Sequence, residues 1–553
     1  MAQQERVAYG YRYDEIKCLG KVVSFSGVAV HPKFSRDPTR RPVAVSLGIH
    51  FEGCLLPHGD PSDALSLAEA VKGRMGKRLP IVPNRTKFIS ELKTFVRGWL
   101  IRNNIPRLCY IHSTDFEEWL AATGYPEWRK VEFRKHKDKI QDMLIRNEHG
   151  KLIYFVIKLF MKDEFYVDWK QVRGIYARDD CAKIVFGPWF KAVEQVIYTL
   201  PEFIKHVPVK DRANYIYDKL YVDGSKYLVT DYSSYEAHFS ADIMDACEFQ
   251  LYEHVLGGVA GSPEVLSIMR EVLTGNNKIV NKYVAASCQA RRMSGEMNTS
   301  LGNGFSNLMF MSFVCHKLGI DKVNGVVEGD DGLFQFSGRA PTTEDFTACG
   351  FLIKLEQHDS ISTASFCGNL FDEEDKQIIT DIRDIVCTLG WTNSKYLNSN
   401  LRKKKTLLRC KALSYAHQYP GCPIIGELCQ YALRMTRGRT KKDMENFINN
   451  SRDINDYERK QYLDAIKEYS RDEALYHEPK INTRLLVEKL YGVSLDVQRS
   501  FEAKLRTKND FTPIKYDLFT ELCPKSWRDY YDNYVLPRPN THLSYELFNI
   551  SNL

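Results

Sequence analysis

The chain has 553 residues, 44% hydrophobic and 27% charged, and 77 basic against 70 acidic side chains leave a net charge of +7. That length allows roughly three or four core-sized units, the composition is that of a soluble globular protein, and the small charge excess permits nucleic-acid binding without requiring it. Fourteen cysteines run from Cys18 to Cys523 with no C-x-x-C pair, which argues against a secreted disulfide scaffold and for a reducing, cytosolic setting.

The first fifteen residues, MAQQERVAYGYRYDE, are too polar for a signal peptide. Up to about residue 85, β-like runs (KVVSFSGVAV, PVAVSLGIHF) alternate with Pro/Gly/Asp turns. NRTKFISELKTFVRGWLIRNN then repeats apolar residues at three and four, which predicts a helix. Residues 115–200 are rich in Lys and Arg, and their longest apolar run, LIYFVIKLFM, is interrupted by Lys158 and too short to span a bilayer. From about 225 to 380 strands and helices alternate: SKYLVTDY, a helix around 241–257, a helix from about 297, a VVEGDDGLF hairpin and FLIKLE. That order predicts an α/β layer at the centre of three parts. Beyond 385 the pattern is helical and basic. Cys410, His417, Cys422 and Cys429 lie there at no standard zinc spacing and are expected to be buried core side chains.

Three segments of the centre carry chemistry. In GVVEGDDGLFQF, Asp330 and Asp331 sit at the tip of an apolar hairpin, where glycine and aspartate tolerate the positive φ of a tight turn. Paired carboxylates are also the hard oxygen ligands that magnesium or manganese prefers. Two ions roughly 3.5–4 Å apart need a further acid from a neighbouring strand. Asp231, at the end of the β-rich run KYLVTD, supplies it, and Glu236 follows five residues later. In RRMSGEMNTSLGNGFSN, Ser294-Gly295 precede a helix carrying Thr299 and Asn303 four residues apart on one face. Taken singly, these are a turn, a capping acid and a helix N-terminus.

Together, the order Asp231-x4-Glu236, Ser294-Gly295-x3-Thr299-x3-Asn303 and Gly329-Asp330-Asp331 resembles motifs A, B and C of viral RNA-dependent RNA polymerases. The likeness is to positive-strand RNA viruses of the tombusvirus-like and wider flavivirus-like supergroup. The intervals suit that family, with 63 residues from Asp231 to Ser294 and 36 from Ser294 to Asp330. Upstream, FMKDEFYVDWKQVRGIYARDD resembles the basic motif F, with Lys162, Arg173 and Arg178 at its basic positions. Downstream, TACGFLIKLE resembles motif D, with Lys354, and SFCGNLF resembles the primer-gripping motif E. Glu236 departs from the pattern, since the family usually has aspartate there.

The resemblance implies a mixed α+β, closed right-hand polymerase. Residues 1–225 would form fingers with an N-terminal extension, 226–258 palm, 259–292 a fingers insertion, 293–384 palm, and 385–553 a mainly helical thumb and C-terminal region. It implies template-directed RNA synthesis in viral replication. Asp231, Asp330 and Asp331 would hold two Mg2+ ions (Mn2+ as substitute), and Lys354 would act as general acid. Lys162, Arg173 and Arg178 would bind the triphosphate, Glu236 and Asn303 the ribose, and Ser294, Gly295 and Thr299 the site around template and substrate. Partners would be NTPs, template and product RNA, and other replicase or host membrane-recruiting factors. The setting would be host cytoplasm at membrane-associated replication complexes. A reverse transcriptase would share the central motifs. A capsid or other non-catalytic RNA-binding protein would explain the basic segments but not the acids. No G-x4-G-K-[ST] or G-x-S-x-G motif occurs.

Overall fold

The computed structural model describes residues 23–25, 28–32, 44–138 (apart from 60, 62 and 63), then 140, 156–168, 172–452 (apart from 321), 454–469 and 476–535. Helices and strands are mixed. The described strands are, in chain order, β1 (Val23–Phe25), β2 (Val28–Pro32), β3 (Ala44–Ser46), β4 (Val156–Met161), β5 (Gly174–Arg178), β6 (Lys226–Tyr232) and β7 (Asn276–Val280). Then come β8 (Val284–Gln289), β9 (Asn324–Glu328), β10 (Asp331–Phe336), β11 (Ile353–His358), β12 (Leu370–Asp372), β13 (Gln377–Ile379) and β14 (Trp391–Asn393).

The central sheet has the order β11-β6-β10-β9, antiparallel throughout. Its strands alternate faces because side chains in a strand repeat every two residues. Leu228, Tyr232, Val327, Phe334 and Phe336 point into the largest core, among helices that include Arg85–Arg102, Asp180–Ile197 and Thr299–Lys317. Tyr227, Val326 and Leu333 point the other way, onto Ile204, Ile216, Phe366 and Phe371. A sheet buried on both faces leaves its polar residues at the strand ends. Asp231 and Asp331 are such residues.

A second sheet, β1-β2-β8-β7-β4-β5, is antiparallel except where β4 and β7 run parallel. It packs on the Ala64–Met75 helix. The 259–292 segment therefore shares a sheet with 156–178, through β7 and β8. Residues 44–56 lie away from the expected 1–225 unit: β3 pairs with β14, and Leu47 to Leu56 pack into the C-terminal helical core. Among the described residues no helix is long and apolar enough to cross a membrane.

Two expected elements differ in extent. The helix expected at 241–257 is two, Ala241–Ala246 and Glu248–Leu256. The Gln250 side chain donates to the Asp245 carbonyl at 2.6 Å, occupying the acceptor that a continuous helix would offer to residue 249. The run PVAVSLGIHF keeps only β3 as strand. Ser46 Oγ accepts from the Gly48 N–H at 3.0 Å and meets His50 Nδ1 at 2.6 Å, turning the chain after residue 46. Cys410, Cys422 and Cys429 are buried, and His417 faces Glu468 at 3.2 Å.

Candidate active site

The acidic turn is a two-residue hairpin, because Glu328 pairs with Asp331 across β9 and β10 and only Gly329 and Asp330 lie between. Gly329 has φ +63, which a side chain would strain, at the first central position, as glycine-led hairpin turns require. β10 pairs with β6 through Gly332 and Thr230, so continuing that register by one residue sets Asp331 opposite Asp231. On the other side of β6, Lys354 pairs directly with Asp231. Paired residues of adjacent strands share a face, so Lys354, Asp231 and Asp331 form a row along one sheet edge. Asp330 lies at the turn beside them.

Like charges meet here. Asp331 is exposed at the turn, yet protein crowded around its carboxyl, followed by Asp330, raises its pKa to about 7. Asp231 and Glu328 push the same way, and the Cys367 thiol opposes them. Burial and then Glu236 raise Asp330, while Arg173 and Arg74 pull it back. The donor set of Asp231, Asp330 and Asp331 is three carboxylates, hard oxygen ligands of the kind that suit a divalent cation such as Mg2+ or Mn2+. Their carboxylate oxygens do not all lie within 4.8 Å of one another. Lys354 bonds Glu356 (an ion pair on its own strand); this contact and then Asp231 raise its pKa, which keeps the ammonium protonated.

The Thr299–Lys317 helix supports the turn from beneath. Asn307, fully buried, donates from Nδ2 to the Asp330 carbonyl at 3.0 Å and makes a longer contact of 3.5 Å to the Gly329 carbonyl. Ser294 Oγ donates to the Gly174 carbonyl at 3.3 Å, docking the preceding loop on β5. Gly295 packs so closely there that a Cβ would stand 2.8 Å from the Tyr176 carbonyl oxygen. Thr299 Oγ1 donates to the Met293 carbonyl at 3.0 Å, closing that loop. Asn303 takes a hydrogen bond on Oδ1 from Arg292 Nε at 3.0 Å. Arg292 is itself fully buried against Glu248 at 2.7 Å.

Glu236 is buried beside Asp330. Arg74, from the Ala64–Met75 helix, donates to its Oε1 at 2.6 Å, and its Oε2 has no hydrogen-bond partner. Burial works against the Arg74 charge, but Glu236 outweighs it and the guanidinium pKa is raised.

The three basic residues of the β4–β5 region divide. Lys162 and Arg173 are half-exposed and share Glu164, at 2.8 and 3.6 Å. Arg173 also reaches Asp330 electrostatically. Arg178 lies elsewhere than expected: it is 4% exposed, paired with Glu296 and donating to Asn277 Oδ1 at 2.8 Å. Its guanidinium holds β5, β7 and the loop before the Thr299–Lys317 helix together and does not face the acids. Opposite the turn, Cys367 (φ +52) and Gly368 (φ +74) form a tight hairpin closed by Phe366 and Asn369. It brings the Cys367 Sγ to 3.8 Å from Glu328 Oε2.

Sequence reasoning thus missed Arg74, Asn307, Arg292 and Glu248. Only Asn307 carried a local hint, four residues after Asn303 on the same helix face. No protein-family model matches the chain, and no curated protein matches it in sequence.

Proposed function

We propose that the chain is an RNA-directed RNA polymerase of a positive-strand RNA virus, with fingers, palm and thumb closed around the acidic edge. One observation carries the reading: segments 99 residues apart in the chain, Asp231 and Asp330-Asp331, meet at one end of an antiparallel sheet with Lys354 in register beside them. A solvated turn or a capping acid has no reason to gather three carboxylates, two of which raise the pKa of the third.

In this reading Asp231 and Asp330 hold two divalent ions, with Asp331 supporting them. When bound, the ions would supply charge neutralisation and lower the pKa of the primer 3′-hydroxyl. Lys162 and Arg173 take the triphosphate oxygens. The 3′-hydroxyl gives its proton to solvent water as its oxygen bonds the α-phosphorus, the bond to the bridging oxygen breaks, and Lys354, kept protonated by its acidic neighbours, passes its proton to the departing pyrophosphate. The spare Oε2 of Glu236 accepts from the ribose 2′-hydroxyl, and Asn303 lines the same position. Base pairing supplies the sequence, so the protein holds template and product RNA by backbone and shape. Replicase or host factors would bring the chain to membranes.

The test is incorporation of labelled NTPs on an RNA template with Mg2+ or Mn2+. Template-length product is expected, and Asp330→Asn should reduce it by orders of magnitude with folding intact. Wild-type protein inactive with both ions, or an Asp330→Asn chain as active as wild type, would overturn the assignment. Preference for dNTPs would point to the reverse-transcriptase class, and RNA binding without synthesis to a capsid-like role.

A further inference from the structure

Among the described residues, one group of three metal-ligating side chains has ligand atoms all within 4.8 Å of one another: Cys54, Cys387 and Cys523. All three are buried, and Cys387 Sγ lies 3.7 Å from Cys523 Sγ. Two thiolates on a tetrahedral zinc at about 2.3 Å stand about 3.8 Å apart, so this pair already has the span of a tetrahedron edge. The third sulfur is equally part of the cluster, which a single disulfide would leave unpaired.

The three thiols differ in how firmly they hold their protons. Cys54 is drawn down to about 4 by hydrogen bonds from Cys387 and then Cys523, with Arg528 adding to the effect. Cys387 is pushed well up by burial, and Cys523, against the pull of Cys387, is raised by its contact with Cys54 and by burial, so these two thiols keep their protons until an ion displaces them. Arg528 Nε is buried with no hydrogen-bond partner. The Thr520 carbonyl, 3.9 Å from Cys54 Sγ, borders the cluster. Arg383 is taken up by Asp381 at 2.8 Å, so what marks the cluster is the convergence of three buried sulfurs, from three separate segments, within one ion's reach.

We propose that Cys54, Cys387 and Cys523 form a structural site for a thiophilic d10 cation, zinc above all, bound as three thiolates. Such a site joins distant parts of the chain. Cys54 lies in the extended segment after β3, Cys387 in the Ile382–Thr388 helix, and Cys523 just after the Asp517–Leu522 helix. The same junction already carries Leu55 N–H to the Trp527 carbonyl at 3.2 Å and Ile514 N–H to the His50 carbonyl at 2.8 Å. The ion would fasten the N-terminal segment to the C-terminal helices. It is chemically separate from the hard-ion acids of the sheet edge.

The test uses the full chain, stripped with chelator, desalted, incubated with Zn2+ and gel-filtered before elemental analysis. About one equivalent of zinc should be retained and should raise the midpoint of thermal unfolding. Cys523→Ser and Cys54→Ser should lose it, whereas Cys410→Ser and Asp330→Asn should keep it. Cd2+ titration of the wild-type chain, read by the thiolate-to-cadmium absorption band, decides the matter even if the cysteine variants fold poorly. Absence of that band, absence of retained zinc, or full zinc retention by Cys523→Ser would each overturn the site and leave a core of plain thiols.

Discussion

Replacing Asn307 with alanine removes a side chain that holds the Gly329–Asp330 turn by its backbone. The amide is fully buried, donates to the Asp330 carbonyl at 3.0 Å, and leaves its own Oδ1 without a partner. Alanine would strand the Asp330 carbonyl in dry surroundings, at a cost of about 1–3 kcal/mol. That is a fraction of the roughly 5–15 kcal/mol by which a folded domain exceeds its unfolded chain, so the variant should fold. Its effect on chemistry should be larger. A displacement of about 1 Å in a positioned reacting group costs about 100-fold, and Asp330 is the acid this amide positions. We expect kcat for nucleotide incorporation to fall about 10- to 100-fold. Apparent KM for NTP should hardly move, because Lys162 and Arg173 lie on other elements. Asn307→Asp keeps the shape but faces two carbonyls with an acceptor, and it should be at least as damaging. The measurements are steady-state incorporation on a primed RNA template and urea unfolding of the same preparations. An alanine variant that loses stability but keeps wild-type kcat would show that the strand pairing alone fixes the turn.

The two arginines should separate: Arg173→Ala should raise the apparent KM for NTP about tenfold with stability intact. Arg178→Ala, by breaking a buried pair with Glu296, should cost about 3–5 kcal/mol in unfolding experiments. An unchanged KM in the first variant would refute the division. His50 is buried and its pKa lies at about 3, so below pH 6.5 the unfolded chain takes up a proton that the folded chain refuses. Stability is therefore lost as pH falls through that window, by about 2 kcal/mol between pH 7 and 5 from this residue. His50→Gln should lose that much less in urea titrations at the two pH values, and equal losses would refute the assignment. Glu236→Ala should reduce rNTP incorporation more than dNTP incorporation, and Arg74→Ala should narrow the same ratio. Single-nucleotide incorporation measures it, and an unchanged ratio in both variants would remove Glu236 from sugar selection.

What the sequence made legible follows from how locally each feature is encoded. The hairpin at 329–330 is written in adjacent residues, apolar runs around Gly-Asp, and it forms there. The strand that carries Asp231 near its end and the helix bearing Asn303 are likewise set by local periodicity. Partners across the fold were not legible, because no spacing rule ties Arg74 to Glu236, Arg178 to Glu296 or Cys54 to Cys523. Arg178 illustrates the point. Its place in R-x-I-x-x-R suggested an exposed phosphate ligand, but the inward face of β5 buries it against Glu296. The exposed Arg173 precedes that strand. The two differ in burial because they lie five residues apart along an alternating run, an odd interval that turns them to opposite faces.

The glutamate at 236 can be understood only with its distant partner in view. An aspartate there would draw the carboxylate back by about 1.5 Å, the length of one carbon–carbon bond. Arg74 Nη1, at 2.6 Å from Oε1, would then be out of hydrogen-bond reach. A guanidinium held in a largely buried position without its carboxylate is costly, so Arg74 and the longer acid require each other. The pair leaves one oxygen, Oε2, uncommitted next to Asp330. A buried acceptor with no partner is destabilising in the free chain and is relieved when a hydroxyl arrives. Under the proposed function this selects a sugar that carries a 2′-hydroxyl, since a deoxyribose would leave the oxygen unpaired. The longer side chain thus needs no shift of the sugar to compensate for its length. The extra methylene is taken up on the Arg74 side of the carboxylate, and the second oxygen keeps its hydrogen-bonding capacity unspent.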